Sequence, residues 1–400
     1  MYLKLAPQFI PSLLIWAELC RAFRPMKFRT AFLERALTLF LCSLAVCPTL
    51  GAQLAATPRP SATNGLSDEE WQALAAANLV MGNSDLGRPV DRKSKKNGRE
   101  LSAAQAKQVA DLARVFYTKN PKHPQVTEAR KIEVFALVSA VQLGDKSVET
   151  GLDRLVADLR TDGSLPGELR AQCAAAHDFT VAARGAKDQS GRLVNVEKVA
   201  RDLIKEFPRE APGYEALMAL CRARESVKAE PLARELLVSE APEHVKFEAG
   251  LLIQRLGLVG HSLSEIVGQD GAELLAGLPA GEPVVVYSWA TWGPGSIDLG
   301  QMIQARRFVA IGICMDAQVE KATQAAHRAG LGGKLTYDKN GLDGVLASRL
   351  AFSAPGQIYL IDAKGVIADV RGGEGLEAKL KAFGFKTPAI VPTATPKGKG

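Results

Sequence analysis

The sequence predicts two unlike folded parts, an all-α region followed by an α/β region whose mixed sheet is flanked by helices. Three observations carry that division. From Leu101 to Leu258 apolar positions recur at three and four, as at Val109, Leu112, Val115 and Phe116, with no β-rich run between them. From Glu282 onward, short apolar runs alternate with helical stretches, the order that builds a sheet with right-handed crossovers. The run Pro283 to Trp289 is apolar, β-branched and ends in aromatics, which reads as a strand buried inside that sheet.

Composition places few limits beyond these. The chain has 400 residues, 47% hydrophobic and 23% charged, enough for two or three domains with real cores. Its net charge of +7 is concentrated at the start. Residues 1–52 hold six basic and two acidic side chains, an excess of four that leaves +3 on the rest. No basic stripe interleaved with aromatics accompanies it, so nucleic acid is not an expected partner.

The N-terminal 52 residues read as an export signal whose start is Met26. Lys27, Arg29 and Arg35 precede the uncharged apolar run Ala36 to Val46, which is too short to span a bilayer, and small residues follow at Gly51 and Ala52. Val46 stands where a lipobox needs a small residue before Cys47, which argues against a lipid anchor. The expected compartment is therefore the periplasm or cell envelope, with no integral membrane span after signal removal. Of six cysteines, Cys173, Cys221 and Cys314 remain; an odd count leaves a free thiol, and all three read as small buried hydrophobes. The histidines show no ligand spacing, so neither a metal nor a cofactor is expected.

Residues 53–66 read as a linker. The capping box Ser67-Asp68-Glu69-Glu70 starts a helix carrying Trp71 and Leu74, and the charged run Asp91 to Arg99 reads as a solvated loop. Within the helical domain, 67–258, two segments look like copies of one unit. Ala200 to Pro208 is followed by Tyr214, Ala216 and Leu217; Ala233 to Pro242 is followed by Phe247, Ala249 and Leu251. Their prolines, Pro208 and Pro242, stand 34 residues apart, the period of tetratricopeptide-like helical hairpins, whose stacked arrays present a concave protein-binding face.

The second domain, 259–387, opens with a stretch from His261 to Gly281. Strands are then expected at 283–289, 308–315 and 334–337 and as a hairpin at 357–362 and 366–371, with helices at 297–305, 316–329, 342–350 and 374–383. The tail 388–400 reads as disordered.

Trp289-Ala290-Thr291-Trp292, at the end of the first core strand, resembles the active-site strand of thioredoxin-fold proteins, above all the TlpA-like exported group. In that group the same four residues precede Cys-Gly-Pro-Cys. Ser353-Ala354-Pro355-Gly356 before Ile358-Tyr359-Leu360-Ile361-Asp362 matches a second marker, where the family has a cis-proline at the position of Pro355. The resemblance covers roughly residues 260 to 386, and it implies that the opening stretch is a short hairpin turned at Asp270-Gly271.

Both active-site cysteines are absent. Without a gap, Gly293 and Ser296 occupy the two thiol positions; with a one-residue deletion, Gly293-Pro294 matches the family's Gly-Pro and Gly295 replaces the second cysteine. Dithiol exchange needs an attacking thiolate at a helix N-terminus and a second thiol to resolve the mixed disulfide, and serine supplies neither. The resemblance then leaves a groove bordered by Trp289, Trp292, Pro294, Gly295, Ser296, Ala354 and Pro355, where family members hold an extended peptide. The expected function is an exported, non-catalytic protein- or peptide-binding or assembly factor. The alternative is a thiol–disulfide oxidoreductase or peroxidase-like protein acting through Cys314, at the end of the second core strand, or through a partner's thiol.

Overall fold

The computed structural model describes residues 65–83, 95–223, 226–269, 272–279, 281–293, 295–305, 308–338, 340–371 and 376–383. The expected signal with its Met26 start, residues 53–64 of the linker, the Asp270-Gly271 turn, Pro294 and the tail 388–400 lie outside them. The chain divides into two compact units that meet in sequence at Gly250 and Leu251.

The first unit is helical. Its described elements are α1 (Gly65–Asn83), α2 (Lys95–Lys119), α3 (Val126–Leu143), α4 (Glu149–Thr161), α5 (Gly167–Arg184), α6 (Gln189–Glu206), α7 (Ala211–Ala223) and α8 (Ser226–Val238), and α9 (Glu243–Gly257) crosses the division. α3 and α7 are buried nearly all round, while others bury one stripe. In α4 the stripe is Leu152, Val156 and Leu159 at four and three, with charged residues elsewhere. These side chains join Trp71, Leu74, Phe116 and Leu137 in one core, each worth on the order of 1.5–3 kcal/mol when fully buried. The run expected as a loop from Asp91 is helical from Lys95 to Arg99. Basic residues are good helix formers, and here they prolong a helix instead of a loop.

The two similar segments both fold as helix, turn, helix, α6 with α7 and α8 with α9. Their aromatic residues, six positions past Pro208 and five past Pro242, lie in different surroundings. Tyr214 is buried and donates through its hydroxyl to the Pro208 carbonyl at 2.9 Å, whereas Phe247, in the second segment, is 67% exposed.

In the second unit, α10 (Leu263–Val267) and α11 (Ala272–Leu275) precede β1 (Val284–Trp289), α12 (Ser296–Ala305), β2 (Val309–Cys314), α13 (Val319–Arg328), β3 (Lys334–Tyr337), α14 (Val345–Arg349), β4 (Ile358–Ile361), β5 (Ile367–Asp369) and α15 (Leu376–Ala382). The sheet order is β3-β2-β1-β4-β5. β1 pairs parallel with β2 and β2 with β3, while β4 runs antiparallel to both β1 and β5. Helix α12 links β1 to its parallel neighbour β2, and α13 links β2 to β3, because parallel neighbours cannot be joined by a tight turn. Val285, Tyr287, Trp289, Cys314 and Leu360 project to one face, packed with Ile303, Ala322, Ala326, Leu376 and Leu380.

Two expectations are corrected. The hairpin of residues 261–281 is helical where described, because Leu263 and Val267, four residues apart, are both buried on one side of a helical turn. The only trace of pairing there among the described residues is an isolated bridge from Ser262 to Val366. No described peptide bond is cis, so Ala354–Pro355 is trans, the form an X–Pro bond favours intrinsically.

Candidate functional site

β1 delivers the site to the carboxyl edge of the sheet, where Trp289, Cys314 and Tyr337 stand side by side across three parallel strands. Past the strand end, Thr291 is pinned to β2's exit. Its backbone N–H donates to Asp316 Oδ2 at 2.8 Å and its hydroxyl to Oδ1 at 2.7 Å. Asp316 is buried, and these two bonds engage both of its oxygens.

The two tryptophans part company here. Trp289 is 0% exposed and meets Tyr337 edge to face at 6.1 Å; its indole Nε1 has no hydrogen-bond partner among the described residues. It is a core residue, since it lies on the same face as Val285 and Tyr287. Trp292, beyond the strand, is 46% exposed.

The turn itself is closed by Gly293 and Ser296. Gly293 is buried, and a Cβ there would lie 2.5 Å from Pro355 Cβ and 2.7 Å from its Cγ, a clash with a rigid ring. Gly295 has φ 72°, the left-handed region. Proline could not stand there, because its ring fixes φ near −65°. Ser296 opens α12 at 1% exposure: its Oγ accepts from the Ala290 N–H at 3.2 Å and lies 2.9 and 2.8 Å from the Ala290 and Gly293 carbonyls, either of which can take its single proton. The side chain at the second thiol position thus ties the turn together from inside.

Pro355 is held against Gly293 by Ser288 and Gln357. Ser288 Oγ donates to the Ala354 carbonyl at 2.8 Å and accepts from the Gln357 N–H at 3.0 Å. Gln357 Oε1 in turn accepts from the N–H groups of Ser353 at 2.8 Å and Ala354 at 3.3 Å. Both backbone groups of Ala354 are therefore used within the chain. Sequence reasoning missed Ser288, Asp316 and Gln357. A serine inside an otherwise apolar strand was the one available signal.

Cys314 does not reach the surface. It is 0% exposed, its thiol lies 3.5 Å from Asp316 Oδ2, and burial pushes its pKa up to about 12. A thiolate is the reactive form of cysteine, and this environment suppresses it. Among the described residues no group of three His, Cys, Asp or Glu side chains is placed to hold a metal ion, and no helix is long and apolar enough to cross a membrane.

No protein-family model and no curated protein matches the chain. Among solved structures, the C-terminal domain of a protein assigned as a thiol–disulfide oxidoreductase from Bacteroides thetaiotaomicron is similar, at 18% identity and a TM-score of 0.25, over 27% of this chain and 81% of that one. The mixed five-stranded sheet with helices at its face fits a thioredoxin-like domain on its own order and strand directions.

Proposed function

We propose that the chain is an exported protein in which tetratricopeptide-like hairpins accompany a TlpA-like, thioredoxin-fold domain that contacts other polypeptides without redox chemistry. The observation that carries this reading is the contact between Gly293 and Pro355, which leaves no room for any side chain at the first thiol position. The buried, hydrogen-bonded Ser296 at the second position agrees with it. Export rests on the sequence from Met26 to Ala52. A redox role for Cys314 would need a thiolate that burial disfavours.

What remains at the carboxyl edge is Trp292, half exposed and next in sequence to Gly293, which meets Pro355. Because the Ala354 amide and carbonyl are engaged internally, a partner is gripped here through the indole and the proline ring rather than through strand pairing at Ala354.

Two assays on the full chain test this. Insulin-disulfide reduction should show no turnover above buffer for the wild type, for Cys314→Ser, or for the double variant Gly293→Cys with Ser296→Cys. Wild-type turnover abolished by Cys314→Ser would overturn the non-catalytic reading, and turnover by the double variant would remove its steric basis. Titration with carboxymethylated insulin B chain, an extended thiol-free peptide, should show binding that Trp292→Ala weakens about tenfold without lowering the melting temperature. Equal binding by the variant would move the contact elsewhere.

A further inference from the structure

Helices α2, α3 and α4 of the first unit meet at a pocket of about 200 Å³ whose wall includes Tyr117, Arg130, Leu155, Asp158, Leu159 and Asp162. We propose that this pocket takes one basic side chain, lysine or arginine, from a partner polypeptide. The site is separate from the Trp292 edge, and the proposal stands or falls independently of the function proposed for the second unit.

Size limits the occupant first. Sites for small organic ligands run to about 300–1,000 Å³, so this volume suits a single side chain and not a cofactor. Charge decides its sign. The lining holds one cation and two carboxylates, and Arg130 is already committed: its Nη1 donates to Asp162 Oδ2 at 3.0 Å and its guanidinium lies 5.6 Å from the centre of the Tyr117 ring. Asp158 is exposed, and its carboxylate has no partner among the described residues. An anion would have to displace Asp162 from Arg130 and then face Asp158; a cation completes the set. Leu159 is buried, Leu155 and Tyr117 are half-buried, and together they offer apolar contact to the methylene stem that lysine and arginine carry below their charge.

The wall is also fixed in advance. Glu133 is 1% exposed and accepts from Tyr117 Oη and Arg114 Nε, both at 2.7 Å. Burial and the bond to Glu133 raise the Tyr117 pKa, so the phenol keeps the proton that anchors its ring. A buried carboxylate is a poor source of stability compared with an apolar side chain. Its evident effect here is to hold the Tyr117 ring, clamped between Glu133 and Arg130, as a rigid side of the pocket.

The test is calorimetric titration of the full chain with acetyl-Gly-Lys-Gly-amide, its arginine counterpart, the same peptide with norleucine in place of lysine, and cadaverine. Saturable binding of the two basic peptides is expected, about tenfold weaker for norleucine and about tenfold weaker for Asp158→Asn, with the Tyr117 ring resonances shifting on addition. Asp158 is exposed, so this variant should melt as the wild type does; Tyr117→Leu supplies a second variant that removes the aromatic wall and should also weaken binding. Norleucine binding as tightly as lysine, unchanged affinity in Asp158→Asn, or no saturation by about 10 mM would overturn the proposal. Cadaverine binding more tightly than either peptide would also overturn it, by assigning the pocket to free diamines.

Discussion

Between neighbouring helices of the first unit many of the polar ties are ion pairs, Arg114 with Glu133, Arg130 with Asp162, Arg160 with Asp178 and Glu206, Arg201 with Glu235, beside a few bonds such as Gln142 to Thr180 and Arg184 to the Val141 carbonyl. Around the β1 turn of the second unit they are bonds from side chains to backbone, made by Ser288, Ser296, Gln357 and the Thr291–Asp316 clamp. The contrast follows from where backbone groups go unsatisfied. Helices satisfy their own interiors, so mainly side chains and the free carbonyls of their last turns are left to join one to another; a strand end running into a turn exposes N–H and C=O groups that must be matched. One region is therefore tunable by pH and salt, and the other is sensitive to volume and shape. In the second unit a buried glycine and a buried serine, Gly293 and Ser296, hold the turn after β1 closed.

The largest expected effect tests the volume-sensitive half. Trp289→Ala should cost about 3–5 kcal/mol, as other large aromatic truncations in cores do, because the ring is fully buried against Tyr337. Urea denaturation read by far-ultraviolet circular dichroism measures it. A loss under about 1 kcal/mol would mean that the site's frame is not held by packing, and the contrast between the two units would collapse.

Much of this was legible from the chain itself. The strands of the second unit announce themselves because Val284 to Trp289, Ser288 apart, and Ile358 to Ile361 are runs of apolar and aromatic residues, as a sheet covered on both faces requires. The helices were readable from their three-and-four spacing. The stretch at 261–281 was not, because Leu263 and Val267 carry a helical interval too short to separate from a strand by periodicity. Absence of the thiols was readable, but the reason the turn cannot take them back was not: Gly293 meets Pro355 across 62 positions of sequence, and only folding brings them together. Trp289 and Trp292 belong to one motif, yet strand alternation buries the first with Tyr287 while the second falls past the strand end. Their separate fates follow from where β1 stops.

A smaller effect probes the tunable half. His177 bonds Asp178 through Nδ1 at 2.7 Å and Asp153 through Nε2 at 2.8 Å, and these contacts, Asp178 foremost, raise its pKa above 6.5 against the opposing effect of burial. A raised folded-state value means the charged form is the one stabilised. That contribution is complete below pH 6.5 and is lost as pH climbs through the higher folded value. Asp153 is largely exposed, so solvent screening limits it to at most about 1 kcal/mol. The first unit's thermal midpoint should fall over this window, and His177→Gln should flatten the slope. An unchanged slope would assign the pH response to other groups.

The smallest expected effect asks whether the helical unit's ion pairs stabilise it or only accompany its packing. Arg201 grips Glu235 with two parallel bonds, Nη1 to Oε1 at 2.6 Å and Nη2 to Oε2 at 3.0 Å, joining α6 to α8. The geometry is the favourable forked one, but the side chains are 40% and 48% exposed, where such pairs contribute only about 0.2–1 kcal/mol. Arg201→Ala should cost that much at low ionic strength. In 1 M salt, where the screening length shrinks to about 3 Å, the difference from wild type should narrow to whatever the arginine stem contributes by covering apolar surface. A cost that stays constant with salt would mean the seam between α6 and α8 is closed by the stem and not by the charge, and the helical unit would then depend on packing in the same way as its neighbour.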